Sequence, residues 1–169
     1  MKNYKGFPLT YQNHPYQEKF RKLLLELFFS PDPELIPEIT ASFLRQFPLP
    51  LEDFPRQEGT YTRTIIHRAR NGFEAMVARW SKGALSSIHG HPLFSFYHVI
   101  DGKLKIDNYR RNERGVTLDS STFLGQSEYF FYIGEPGKFD NIIHQVQAIE
   151  ETFSVHISSG TSTKSEIIS

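Results

Sequence analysis

The chain has no cysteine. It can form neither a disulfide framework nor a thiolate metal site, so any metal must be held by His, Asp, Glu or water. It also lacks a charge excess. Lys+Arg and Asp+Glu are both 19, and no Lys/Arg-rich block supplies a basic field for nucleic acid. No apolar run approaches a membrane span, and residues 1–6 lack the apolar core of a signal peptide. Internal repeats and low-complexity segments are missing too. These absences lead us to expect a soluble, cytoplasmic protein with no nucleic-acid or membrane partner. The 169 residues are 38% hydrophobic and 14% aromatic, with 15 Phe. That excludes a disordered polymer and is enough to bury the core of one domain.

The first fifty residues read as helical. Phe20, Leu23, Leu24, Leu27 and Phe28 recur at helical spacing within 16–29, opposite Glu18, Lys19, Arg21, Lys22 and Glu26. Ser30-Pro31-Asp32-Pro33 ends that helix. Asp32 can cap the next one, with Pro33 at its first position. A second stripe follows in Leu35, Ile36, Ile39, Phe43, Leu44 and Phe47. Pro48, Pro50 and Pro55 mark an extended crossing.

From Tyr61 the period changes to two. Strands are expected near 61–68, 73–80, 85–91, 94–100, 103–110, 115–123, 128–133, 142–148 and 151–158. Asn71-Gly72, Asp101-Gly102, Arg114-Gly115 and Gly134-Glu135-Pro136-Gly137 separate them. Asn-Gly and Asp-Gly supply the positive backbone angles of two-residue hairpins. Eight or nine short strands suggest a sandwich, or a closed barrel that removes exposed edges. The expected organisation is a single domain over 1–169: a helical segment (1–56) packed on a β-barrel (57–160), then a tail (161–169).

His89-Gly90-His91 is the most informative short motif. On an extended segment, side chains two residues apart point the same way. Two neutral imidazoles on one face are half of a transition-metal site. An isolated pair is also compatible with two polar residues in a loop. The chain has five further histidines: His14, His67, His98, His144 and His156. His144 lies in Asn141-Ile142-Ile143-His144-Gln145-Val146, an apolar strand after a Gly/Pro-rich turn, and a barrel could bring it round to face the pair. Read alone, it is equally a hydrogen-bonded core histidine. Three imidazoles without an acidic ligand would leave a metal site positive and favour an anionic substrate.

Four blocks, in order, resemble one family. Gly83, five residues, His89-Gly90-His91 and then Gly102 resemble the first cupin motif. Gly137 and His144 resemble the second more loosely. Tyr61-Thr62-Arg63, the run from Trp80 to His91 (Trp-x-x-Gly-x-x-Ser-x-x-His-x-His) and Phe153-Ser154-Val155-His156-Ile157-Ser158 are similar to blocks of the cysteine dioxygenase family of thiol dioxygenases. The likeness runs from about Tyr61 to Ser159. It implies a cupin-type double-stranded β-helix, a jelly roll, carrying two N-terminal α-helices.

By the same resemblance, His89, His91 and His144 would be the three ligands of a mononuclear Fe(II). Another divalent metal such as nickel or zinc could take their place in the isolated protein. Arg63 would bind the substrate carboxylate, a task suited to a planar fork of donors, and Tyr61 would line the same pocket. Ser154 and His156 would form a hydrogen-bond relay beside the metal. The implied reaction joins a small carboxylate-bearing thiol, cysteine or similar, to O2 and yields its sulfinate. A monomer or weak homo-oligomer is expected.

Three positions depart from the pattern. Ser158 stands where the family has a tyrosine that hydrogen-bonds toward substrate or oxygen. Ser95 or Phe96 stands where general cupins have a glutamate ligand, and where some family members have a cysteine cross-linked to that tyrosine. Ala148 stands where an asparagine often follows the third histidine. Tyr97, Tyr129 or Tyr132 could supply a phenol from another strand, but these aromatics read more naturally as core. The departures keep two alternatives open: a divergent three-His cupin enzyme (another oxidation, a lyase or an isomerase), or a ligand-binding cupin without turnover. If the metal reading is right, His91→Ala will lose bound metal by elemental analysis, because two imidazoles rarely hold what three hold weakly.

Overall fold

The helix α1 (Gln17–Phe29) forms where an apolar stripe meets a polar one. Its buried residues are Phe20, Leu23, Leu24 and Leu27, the i, i+3, i+4, i+7 set of one helical face. Phe28, expected on that stripe, is half exposed instead. The computed structural model describes residues 10–11, 14–30, 32–70, 72–91, 93–138 and 140–159. The expected tail (161–169) lies outside them.

Asp32 does cap, but not the helix expected of it. Its Oδ1 accepts from Glu34 N at 2.9 Å and starts a single 3-10 turn, Pro33–Leu35. The helix α2 (Ile36–Gln46) begins only after it, with Pro37 in the first turn, where its missing N–H costs nothing. With this 3-10 turn ahead of α2, the buried stripe differs from the expected one. Ile36, Pro37, Thr40, Ala41 and Leu44 are buried, while Leu35 is exposed and Ile39 and Phe43 are only partly covered.

Among the described residues there are ten strands, nine at or near the expected ranges and β1 in addition: β1 (Thr10–Tyr11), β2 (Tyr61–Arg68), β3 (Glu74–Trp80), β4 (His89–His91), β5 (Phe94–Asp101), β6 (Leu104–Asn112), β7 (Gly115–Leu124), β8 (Tyr129–Ile133), β9 (Asn141–Ala148) and β10 (Thr152–Ser158). The strand expected over 85–91 is shorter, because Leu85 makes only an isolated bridge to Gln147. The strands form a six-stranded sheet, β1-β2-β3-β10-β5-β8, and a four-stranded sheet, β4-β9-β6-β7. The two sheets enclose a shared apolar core, the arrangement expected of a jelly roll.

Two of the expected turns behave differently. Glu113 and Arg114 close a two-residue hairpin between paired Asn112 and Gly115. Asp101-Gly102 does not make a hairpin. The chain there crosses from the six-stranded sheet (β5) to the four-stranded one (β6). Gly102 is still required, for a different reason. Its φ is +86°, and an added Cβ would collide with the Glu151 carbonyl oxygen and the Thr152 backbone.

Two cores result. On the outer face of the six-stranded sheet, Phe20, Leu23 and Leu24 of α1 pack against Val77, Val155 and Ile157. Between the sheets, Trp80, Tyr97 and Val99 meet Leu104, Ile106 and Val146. No helix among the described residues is long and apolar enough to cross a membrane.

Leu24 is fully buried at the helix–sheet core, so Leu24→Ala is expected to lose about 2–5 kcal/mol in urea denaturation. Gly102→Ala is expected to lose about 1–2 kcal/mol from the left-handed backbone alone, plus the cost of relieving the collision. A Gly102→Ala protein as stable as its parent would contradict the role given to this crossing.

Candidate metal centre

The approach to β4 is fastened by the serine of the long motif. Ser86 N donates to Val146 O at 2.9 Å, and Ser86 Oγ accepts from Val146 N at 2.9 Å. Gln145 Nε2 donates to Ser86 O at 2.8 Å. These bonds lay the segment along β9, so β4 pairs there with His89 opposite His144. His89 and His91 then share a side, as the spacing predicts, and His144 joins them from the neighbouring strand. The three ring centroids are 4.7–4.8 Å apart. One ligand atom from each lies within 4.8 Å of the others, so the group can hold a metal ion. Among the described residues no other group of three His, Asp or Glu side chains is so placed.

The register is uneven here. His89 pairs with His144 but His91 pairs with Asn141, so β9 carries an extra residue. Within that bulge Ile142 has φ +38°, a conformation that β-branched residues rarely adopt. Asn141 anchors the strand start: its Oδ1 accepts from Glu135 N and its Nδ2 donates to Glu135 O, each at 2.9 Å.

Burial makes the imidazoles neutral. His144 is fully buried and His91 nearly so. Burial, reinforced by the neighbouring histidines, holds both well below the ordinary imidazole range. Burial also lowers His89, partly offset by the Ser87 carbonyl. Neutral imidazole is the form that binds metal. His89 Nδ1 lies 2.9 Å from Ser87 O. Donation there leaves Nε2 as the free donor atom, the usual arrangement of a metal-ligating histidine. His91 Nε2 and His144 Nε2 face each other at 3.2 Å. The donor set therefore fits a divalent transition metal. His144 Nδ1 departs from the usual pattern, being buried without a hydrogen-bond partner.

The six-stranded sheet supplies the facing wall. On β10, Phe153, Val155 and Ile157 turn outward to the helices, so Ser154, His156 and Ser158 face the interior. Trp80 Nε1 donates to Ser154 Oγ at 3.0 Å, and Ser154 Oγ lies 2.8 Å from His156 Nε2. Burial, with Arg63 and His89 nearby, pushes His156 down to about 3. Tyr61 stacks on Trp80 at 4.2 Å, and the Arg63 guanidinium sits 5.9 Å from the Tyr61 ring centre. Arg63 Nε is buried without a hydrogen-bond partner. The sequence-predicted Tyr61, Arg63, Ser154 and His156 thus line the same interior as the three histidines. His14, His67 and His98 lie elsewhere: His14 stacks on Phe54, His67 neighbours Arg21 and Glu18, and His98 stacks on Phe96.

Tyr97, read from the sequence as core and named among three tyrosines that could supply a phenol, does both. Its ring is in the inter-sheet core, but its hydroxyl lies 2.7 Å from His91 Nε2 and 3.2 Å from His144 Nε2. Burial pushes its ionisation well up. Tyr129 and Tyr132, the other candidates for the missing phenol, are exposed on β8. Ser95 pairs directly with Ser158, so the two departures from the family pattern face each other. A signal for Tyr97 was present in Phe94-Ser95-Phe96-Tyr97, where hydroxyls occupy one parity and phenyl rings the other.

No family model matches the chain, and no curated protein matches it. Solved structures do. A cupin superfamily protein from Desulfitobacterium hafniense matches at TM-score 0.53 and 13% identity, over 68% of this chain and 91% of that one. A conserved protein with a double-stranded β-helix domain from Klebsiella pneumoniae matches at TM-score 0.50 and 16% identity, over 72% of this chain and 96% of that one. The chain therefore has the double-stranded β-helix fold of the cupins, with two helices on one face and a three-histidine group inside that can hold a metal ion.

Proposed function

We propose that the chain is an iron-dependent dioxygenase of a small carboxylate-bearing thiol. One observation carries the reading. A three-histidine group on one sheet and an arginine with an unpartnered, buried Nε on the other line a single interior. A buried donor without an acceptor is costly, and a substrate carboxylate would supply the acceptor.

The overall change is R–S⁻ + O2 → R–SO2⁻. Two S–O bonds form and the O–O bond breaks. Sulfur gives up four electrons and dioxygen takes them, so no external reductant is needed. Bound Fe(II) would supply the positive charge that acidifies the thiol and the redox activity that O2 requires. The protein does the positioning. Arg63 binds the carboxylate with its fork of donors. Tyr61, held flat on Trp80, supports that fork from beneath. Trp80 fixes Ser154, and Ser154 fixes His156, so a neutral imidazole is held in one orientation beside the pocket. Trp80, Ser154 and His156 are buried, which strengthens the contacts among them.

A specific observation favours a second reading. Ser95 and Ser158 face each other where thiol dioxygenases resembling this chain carry cysteine and tyrosine. A divergent three-His cupin enzyme, turning over a carboxylate metabolite by another oxidation, a lyase or an isomerase step, would not need that pair.

The deciding experiment is oxygen uptake by the iron-loaded protein with cysteine, 3-mercaptopropionate and, as a carboxylate-free control, cysteamine. Sulfinate carrying both atoms of labelled O2 is expected from the first two. Iron bound at one equivalent with no thiol turned over would sink the proposal, and anaerobic conversion of a carboxylate would support the second reading. Arg63→Ala is expected to raise KM for the carboxylate thiols roughly 10–150-fold, the equivalent of about 1.5–3 kcal/mol for a charge-assisted hydrogen bond. Its effect on cysteamine should be small.

A further inference from the structure

The geometry points to Tyr97 as a fourth protein ligand of the metal, its phenol oxygen completing a three-imidazole, one-oxygen set. This inference rests on the metal-site reading above and goes beyond it, because the resemblance assigns no role to this position.

Three observations carry it. The first is spacing. Tyr97 Oη, His91 Nε2 and His144 Nε2 form a triangle with sides of 2.7, 3.2 and 3.2 Å. Two donor atoms at right angles, each about 2.1 Å from one metal, are about 3.0 Å apart. The three separations bracket that value. A hydroxyl that only hydrogen-bonded to a bound substrate would not need to touch both ligand atoms.

The second is hydrogen-bond capacity. Tyr97 has one hydroxyl proton and meets two imidazole nitrogens. It can donate to only one of them. With both imidazoles in the tautomer that binds a metal through Nε2, three lone-pair atoms converge on one point, and a cation satisfies them together.

The third is rigidity. Tyr97 is 4% exposed, its ring lies edge-on to His156 at 4.4 Å, and β5 holds it opposite His156 in the register. The oxygen is delivered by a fixed ring on the sheet facing the three histidines. It comes from just beyond Ser95 and Phe96, one of which stands where the resemblance puts the carboxylate ligand of general cupins. The phenol oxygen takes over that carboxylate's task from a longer side chain.

Binding through this oxygen releases one proton per metal and lowers the net charge of the centre by one.

The test is spectroscopic and does not depend on turnover. Protein loaded with iron and oxidised to Fe(III) is expected to show a visible phenolate-to-iron charge-transfer band with resonance-enhanced tyrosine ring modes. Tyr97→Phe should lose both, while Tyr61→Phe keeps them. One equivalent of iron without these signals, or signals that survive Tyr97→Phe, would overturn the assignment and leave the three-histidine centre standing. Failure of the parent protein to hold any divalent metal would overturn both. If Tyr97→Phe no longer retains iron, parent protein grown with ring-deuterated tyrosine decides the matter. Shifted modes that persist in Tyr61→Phe support Tyr97, and unshifted modes refute it.

Discussion

The antiparallel register of β4 on β9 is the constraint on which the site depends. Side chains alternate along a strand, so a slip of one residue would turn His144 to the opposite face. With His89 opposite His144, His91 falls on the same side without further adjustment. The extra residue at the start of β9 absorbs the mismatch, and Ile142 carries the resulting backbone strain. Strain of this kind persists only where the surroundings over-determine it. Here Asn141 on one side and the Ser86–Val146 pairing on the other do so.

The six-stranded sheet serves two cores at once. Alternate residues of β10 are apolar and face the helices; the others are Thr152, Ser154, His156 and Ser158. Polar residues on a buried face cost free energy unless they are partnered. Trp80 partners Ser154, and Ser154 partners His156. The helices matter to the site indirectly. By covering the outer face they supply the apolar burial that lets the inner face be given to chemistry.

Much of this was legible in the sequence. Period-two alternation placed nearly every strand within a residue or two, because the pattern is local and turn signals bound even the exposed strands β7 and β8. The histidine pair was legible for the same reason. Asp101-Gly102 was misread as a hairpin because a positive φ is a local property, whereas the pairing of the flanking strands is settled by partners far along the chain. Gly102 turns the backbone as expected, but into the other sheet. The start of α2 slipped because Asp32 has no information beyond its own turn, and Pro33 and Pro37 are each tolerable at a helix start. Tyr97 was hidden among aromatic neighbours. Its depth was readable, but the direction of one hydroxyl follows from the approach of β4 and β9 on the opposite sheet.

The separation of the histidines along the chain has a consequence for folding. His91 and His144 are 53 residues apart, and β4 is three residues long with β9 as its one neighbour in the sheet. A cation shared by these rings would close a long loop and pin a short edge strand, much as a disulfide does. Part of its binding free energy would then be folding free energy. In a chain with no cysteine, the metal would be the cross-link that covalent chemistry cannot provide.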